Sequence, residues 1–355
     1  MPALQAENMA DLILLTQKNL GKMKFTQIAT RIQDYLFARE ILKKERVNYA
    51  SGYGIQKNIM VDHSHAANHV GLYSEDEATF QDNMVQFTVP FRHTNVPYVW
   101  DEREVAMNEG EARIVDYTKV KRTDALIALT EKIEETGWSK PADSSDDVTP
   151  FGIPYWIVKW PTGTTTPGFT GTNPVGFAAG AGGVDSATYT RWANYAGKYT
   201  AITKVDLIAG MRGAWTKCGF KNPVDVSDYK QGQDRFAYYT TYAVLSAIES
   251  LVEAQNQDLG MDIASADGRT LFRGAPIRWV PYLDADTSDP VYMINWAYLK
   301  SFFLNGWYMK EGKPIRSAKS HNVWEVWVDL TWNTECVDRR HHAVLSKTSK
   351  TGTAS

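Results

Sequence analysis

The chain has 355 residues, 43% of them hydrophobic and 22% charged, with a formal net charge of −3. That length and apolar content allow one large or two ordinary folded domains and exclude bulk disorder. With neither a basic excess nor an evident basic stripe, a protein that binds nucleic acid mainly by neutralising phosphates is disfavoured.

In chain order, the first 45 residues read as helical. Thr26 is placed to cap a helix that carries Ile28, Ile32, Tyr35 and Leu36 on one face. The opening "MPALQAENMADLILLTQKNL" lacks the basic-then-apolar pattern of a secretory signal, and no run approaches the roughly 18 apolar residues of a membrane span. From Val47 to Trp100 short apolar pieces alternate with Gly52, Gly54 and Gly71. "MVQFTV" places Val85, Phe87 and Val89 on one face, which predicts a long two-stranded excursion with a polar middle. An isolated hairpin is marginal in water, so this one needs a surface to lie against.

Residues 111–136 predict a long helix with a narrow apolar stripe of Ile114, Tyr117, Val120, Ile127 and Ile133, and Gly137 as its C-cap. The segment Pro141–Gly183, rich in Gly, Pro, Thr and Ser, is expected to be a long flexible loop ordered by a partner. Thr203 with Asp206 begins a capping-box-like helix continued by Leu207, Ile208, Met211, Trp215 and Cys218. Another helix is expected over Asp234–Asn256, with Ala237, Val244, Ile248 and Leu251 on one face. The strongest strand signal is the run in which Trp324, Val326, Val328, Leu330 and Trp332 share a face.

Candidate chemistry is sparse. His63, His65 and His69 in "DHSHAANH", with His93 further on, offer an H-x-H pair that could ligate zinc or copper. Without a cysteine nearby a polar loop tip is the expected state, and no metal or cofactor is assigned. "GFAAGAGGVDS" lacks the Lys-Ser/Thr ending of a phosphate loop. Asp284, Asp286 and Asp289 lack the central Gly and terminal Glu of a calcium loop and read as a turn. Arg339, Arg340, His341 and His342 in "DRRHHAVL" predict a basic strand face turned toward DNA or a carboxylate, or else a solvated face with an internal ion pair. Cys218 and Cys336 have neither disulfide-framework nor metal-ligand spacing and are expected as packed thiols. No nucleophile or cofactor motif is present, so no catalytic residue is assigned and the chain is read as a non-enzyme.

The order of these elements resembles the major capsid proteins of tailed bacteriophages. The resemblance rests on "GGVDSATYTRWANYAG" (Gly182, Gly183, Val184, Asp185, Trp192, Asn194), on "KVDLIAGMRGAWTKCGFKNP", and on "RGAPIRWVPYLD" and "DPVYMINWAYLK" followed by "VWEVWVDLTWNTECVDRRHHAVL". It implies an α+β fold of the tailed-phage/herpesvirus type, divided as an N-terminal arm (1–46), an extended β-hairpin loop (47–100), and a peripheral domain with a spine helix and the Gly/Pro-rich loop (101–200). An axial domain (201–318), closing peripheral strands (319–347) and a disordered tail (348–355) complete it. It implies a shell subunit that forms hexamers and pentamers around double-stranded DNA, held by non-specific contact, in a virion assembled in the bacterial host cytoplasm. A separate scaffolding protein, a portal and, optionally, a decoration protein would be partners, and no membrane would be involved.

Some members of the family join Lys to Asn between subunits, and Lys57 is the only extended-loop lysine that could do so; a solvated lysine is the simpler expectation. Intersubunit contact candidates are His63, His65, His69, Lys57, Trp192, Asn194, Arg339 and Arg340, with Trp192 equally readable as a core aromatic. Rival readings are another structural virion protein, or a cytosolic enzyme with a Gly-rich lid over Asp284 and Asp286.

Overall fold

The alternation of apolar and polar side chains from Val323 to Cys336 makes this 14-residue segment a strand, and half of the fold is organised around it. The computed structural model describes residues 30–44, 47–63, 67, 69–72, 83–101, 103, 117–164, 166–220, 236–253 and 270–348. The elements begin with α1 (Leu36–Ile41), β1 (Val47–Ala50), β2 (Gly54–Met60), β3 (Met84–Pro90), β4 (Arg92–Asp101) and the long helix α2 (Tyr117–Gly137). Next come the single turn α3 (Ile153–Trp156), β5 (Gly168–Gly171), β6 (Asn194–Lys198), a π-turn (Lys204–Ile208) leading into α4 (Ala209–Lys217), β7 (Phe236–Thr240) and α5 (Tyr242–Glu253). The last third supplies β8 (Leu271–Phe272), β9 (Ala275–Trp279), β10 (Val291–Asn295), β11 (Leu299–Leu304), β12 (Lys310–Glu311), β13 (Ile315–Arg316), β14 (Val323–Cys336) and β15 (Ala343–Ser346).

β14 runs through a six-stranded sheet. β4 lies antiparallel along one side of it, from Asp101 opposite Val323 to Arg92 opposite Trp332. β11, β12 and β13 share the other side, and β1 adds in parallel beyond β11. The predicted alternation holds: Val326, Val328, Leu330 and Trp332 are buried, while Glu325, Trp327 and Asp329 are half-exposed. Helix α2 packs across β4 and buries Ala125, Leu129 and Ile133, spaced one turn apart.

The second sheet has seven strands in the order β5-β6-β15-β10-β7-β9-β8. β10 is buried along its whole length, as expected for a strand covered on both faces. On one face Tyr239, Tyr292 and Ile294 join the core that holds Trp138 and Trp296. On the other, Tyr238, Val291 and Met293 meet Met211 and Ala214 of α4, Cys218 at its C-cap, and Val244 and Ile248 of α5.

Four expectations change. The first described helix starts at Leu36, so Ile32 and Tyr35 precede it; Thr26 and Ile28 lie outside the described residues. The segment expected as one helix from Asp234 is β7 followed by α5, because the apolar run Phe236–Thr240 fills a sheet position and Ala237 belongs to the strand. The Pro141–Gly183 segment is packed rather than flexible: Phe151, Ile153, Tyr155, Trp156, Ile157, Trp160, Phe177 and Ala181 are core residues, and their aromatic area outweighs the local turn chemistry. The last two strands do not close one sheet. β14 belongs to the six-stranded sheet, whereas β15 inserts between β6 and β10 in the seven-stranded one. Residues 111–116 of the expected spine helix and 349–355 of the tail lie outside the described residues.

Gly137 serves a different purpose from the expected cap. It ends α2 where α1 crosses, and a Cβ there would overlap the Phe37 ring. Beside it Glu134 is buried and ties the two helices: Phe37 N–H donates to Oε1 (3.1 Å), Ala38 N–H to Oε2 (2.8 Å) and Trp138 Nε1–H to Oε1 (2.7 Å). Its carboxylate answers N–H groups that the first turn of α1 leaves without intrahelical partners.

Candidate functional site

Among the described residues the hairpin β2–β3 pairs only with itself, from Gly54 opposite Pro90 to Met60 opposite Met84, so its hold on the body depends on one face. Ile55, Ile59, Phe87 and Val89 point inward and are buried, while Gln56, Asn58, Met60, Met84, Gln86 and Thr88 point out and are exposed. Alternation with period two yields this division directly.

The seat of that inner face is built from the segment expected to be flexible. Phe87 packs on Trp192 (ring centroids 6.1 Å apart), and its ring faces Gly182, whose φ of +68° suits glycine. Gly182 O accepts from Thr88 N–H (3.2 Å) and Gly182 N–H donates to Tyr155 Oη (2.8 Å). Trp192 Nε1–H donates to Ala181 O (3.0 Å), and Trp156 Nε1–H to Thr334 Oγ1 on β14 (2.9 Å). Asn333 Nδ2 donates to Pro90 O (2.7 Å) and fixes the base of the hairpin against β14.

Two ion pairs reinforce the seat. Lys57 Nζ lies 2.7 Å from Glu335 Oε1, where the Lys57 side chain is 34% exposed and Glu335 is fully buried. Lys57 also lies 5.1 Å above the Phe302 ring. Burial pushes the Glu335 carboxyl up, and the Lys57 ammonium opposes that shift. Farther out, Asp62 pairs with Arg191 (2.7 Å), whose guanidinium also reaches His63 Nδ1 (3.0 Å).

Behind the seat sits Arg339, which is fully buried. It lies in a 3-10 turn (Arg339–His341) that Asp338 caps, not on the strand face expected from sequence. Nε–H donates to Trp156 O (2.8 Å) and Nη1–H to Trp192 O (2.9 Å). Nη2–H donates to Gly171 O (3.0 Å), Thr172 O (2.9 Å) and Asn194 Oδ1 (3.1 Å). Burial brings the guanidinium pKa down to about 10. Its role is to gather carbonyls from three segments, a task that suits its fork of donors.

The sequence candidates therefore separate. Trp192 (4% exposed) and Asn194 (fully buried) are internal: Asn194 Oδ1 accepts from Val158 N–H and its Nδ2 donates back to Val158 O, both at 2.9 Å. A surface role for these two and for Arg339 is corrected by their burial. Arg340 is half-buried and pairs with Asp338 (2.8 Å), while His341 and His342 are buried, so "RRHH" presents no basic face to DNA. Asn295 N–H donates to His342 Nδ1 (3.2 Å), and burial pulls that imidazole down to about 3, which keeps it neutral. His63 and His69 are exposed on the hairpin, and His65 lies outside the described residues.

His93 is elsewhere, with Nδ1 at 2.8 Å from Thr331 Oγ1 and Nε2 at 3.3 Å from Asp329. Among the described residues no group of three or more His, Cys, Asp or Glu is arranged to hold a metal. Asp284, Asp286 and Asp289 diverge as a turn should. Asp284 takes Tyr242 N–H and Trp279 Nε1–H, Asp286 pairs with Lys159 (2.6 Å), and Asp289 pairs with Lys347. Cys218 and Cys336 are buried free thiols, and no described helix is long and apolar enough to cross a membrane.

Sequence reasoning missed Glu335 and Glu134, because both sit in ordinary-looking strand and helix registers. Glu335 falls on the same strand face as Glu325 and Asp329, so the alternation of β14 carries no signal for its burial.

No family model and no curated protein matches the sequence. The fold, in contrast, matches solved shell proteins end to end. A chain of the cyanophage A-1(L) capsid aligns with TM-score 0.61 at 13% identity, over 92% of this chain and 96% of that one. The capsid of Myoviridae phage XM1 gives TM-score 0.54 at 12% identity, over 92% and 95%. An encapsulin from Synechococcus elongatus PCC 7942 gives 0.53 at 11%, over 98% and 97%. The chain has the α+β fold of tailed-phage capsid proteins, shared with encapsulin.

Proposed function

We propose that this chain is a phage major capsid protein, whose copies associate as hexamers and pentamers and close an icosahedral shell around double-stranded DNA. The observation that carries the reading is the end-to-end match with the cyanophage A-1(L) capsid chain. Because the likeness spans nearly all of both chains, the resemblance is to a whole shell subunit and not to one grafted domain. The hairpin fits this role: it has one face seated on its own subunit and one face open, with Met60 and Met84 exposed and Tyr53 at its base 94% exposed. Its action is assembly and not catalysis. The residues that chemistry would recruit are occupied internally: Asp286 by Lys159, Asp289 by Lys347, Arg339 by backbone carbonyls. A separate scaffolding protein, a portal and assembly in a bacterial cytoplasm belong to the same reading. Peripheral and axial regions correspond on it to the six- and seven-stranded sheets.

Negative-stain electron microscopy of the purified chain, with and without a scaffolding candidate, tests this. Closed shells or rings of six and five support it, and a uniform small particle under both conditions refutes it. A second reading, an encapsulin-type shell, is favoured by the encapsulin match at 98% coverage. Nuclease-protected DNA in particles purified from infected cells selects the phage reading.

A further inference from the structure

After β11 the chain turns at Leu304, Asn305, Gly306 and Trp307, the one Asn-Gly step in the sequence. Trp307 N–H donates to Leu304 O (3.0 Å) and closes the turn. Gly306 has a φ of +80°, while Asn305 is not among the residues of positive φ, and that combination makes a type II turn. Both residues are exposed, and a Cβ at Gly306 would meet nothing within 4 Å. Among the described residues neither the Asn305 side-chain amide nor the Gly306 N–H has a hydrogen-bond partner.

The turn also clasps a neighbouring strand. Asn305 N–H donates to Ala50 O (3.0 Å) at the end of the β1–β11 ladder. The Tyr308 ring meets Tyr49 of β1 (6.0 Å between centroids) and Phe303 of β11 (4.9 Å). β1 is four residues long and, among the described residues, pairs with β11 alone.

The chemistry open to such a step is ring closure. The backbone nitrogen of Gly306, on losing its proton, attacks Cγ of Asn305. The new N–Cγ bond forms a succinimide, the Cγ–Nδ2 bond breaks, and ammonia leaves. Water then opens the ring: attack at Cγ yields aspartate, and attack at the backbone carbonyl carbon yields isoaspartate, whose main chain runs through Cβ and Cγ. A water enters, an ammonia leaves, and nothing is oxidised or reduced. Glycine favours the step because it places no side chain against the closing ring. Asn58 and Asn95 are exposed too, but each lies in a paired strand before a β-branched residue, Ile59 or Val96.

We propose that Asn305-Gly306 is a self-modification site, converted without an enzyme to aspartate and isoaspartate as the subunit ages. Conversion adds a negative charge two residues before Trp307, whose ring carries Lys310 at 4.0 Å. Isoaspartate also lengthens the main chain within the turn, which displaces the Asn305 N–H from Ala50 O.

The test is storage of the purified full-length chain in warm, mildly alkaline buffer, followed by peptide mapping and enzymatic methylation of isoaspartate. Product at 305 should accumulate at least about tenfold faster than at Asn58 or Asn95. Asn305→Gln, which would have to close a larger ring, should abolish the signal there without changing the melting temperature. Hydrogen exchange at the Asn305 and Trp307 amides of the aged protein should quicken by at least about tenfold. Equal rates at 305, 58 and 95 would overturn the proposal. Product at 305 in the urea-unfolded chain but none in the folded one would overturn it as well, since the native turn would then hold Gly306 N away from Cγ.

Discussion

Replacing Arg339 by Met is the most informative single change, because it removes a charge and five donor contacts without leaving a large void. The side chain is fully buried and meets four backbone carbonyls and Asn194 Oδ1. Asn194 keeps its bond from Val158 N–H, so the carbonyls of Trp156, Gly171, Thr172 and Trp192 bear the loss. An unsatisfied buried acceptor costs about 1–3 kcal/mol; taking about 1–1.5 kcal/mol for each of four gives roughly 4–6 kcal/mol. Relief from burying a guanidinium offsets part of it, which leaves about 4 kcal/mol, in the tail of single-substitution effects. Arg339→Lys keeps three donors in place of five and should cost about half as much. Urea unfolding of the unassembled subunit, followed by tryptophan fluorescence, reads this out, since Trp156 and Trp192 both touch the site. At a slope of about 3 kcal/mol per molar, the midpoint should fall by about 1.3 M. A loss below about 1 kcal/mol for Arg339→Met would show that the carbonyls find other donors, and the reasoning would be wrong.

Three further outcomes are expected. Lys57→Met strands the buried Glu335 carboxylate and should cost about 3 kcal/mol at pH 8. Burial raises the folded pKa of Glu335 above its unfolded value, so its ionised form costs stability as pH rises. The variant should thus lose less at pH 5 than at pH 8, and equal losses in urea titrations at the two pH values would refute the buried-pair account. Glu134→Ala removes the acceptor for Phe37, Ala38 and Trp138, and hydrogen exchange at residues 37–38 should quicken by at least about tenfold; unchanged protection would show that α1 needs no such tie. Gly137→Ala pushes a methyl group into the Phe37 ring and should cost about 2 kcal/mol, measured as a lowered melting temperature, with no loss if α1 can shift.

Much of the architecture was legible from pattern alone. The alternations in 84–89 and 324–332 gave true strands with the expected buried faces, because period two has one structural solution. Thr203 caps as expected, with Asp206 N–H donating to its hydroxyl (3.2 Å). What stayed hidden was long-range. Nothing local in "GFAAGAGG" says that aromatics from residues 151–160 and 192 cover it, or that Arg339 reaches back across the sequence to carbonyls at 156, 171, 172 and 192. Phe236–Thr240 reads as helical because four apolar residues and a threonine do not fix a period. The contact candidates were chosen by residue type. Trp192 and Asn194 proved internal, because residue type alone does not say which side chains the distant segments bury.

The insertion of β15 between β6 and β10, and of β14 between β4 and β11, has a consequence for synthesis. Each sheet has a gap in its middle until residues 323–346 have left the ribosome, and, apart from the local pair β13–β14 (Ile315 opposite Glu325), the strand pairs across that gap are long-range in sequence. A chain still being made can therefore complete neither sheet, and Phe87, Trp156 and Trp192 lack the strand that backs their seat. Completion of both sheets waits until residues 323–346 have been made. On the proposed shell reading that delay is useful, since a copy lacking residues 323–346 offers no finished surface onto which others can add.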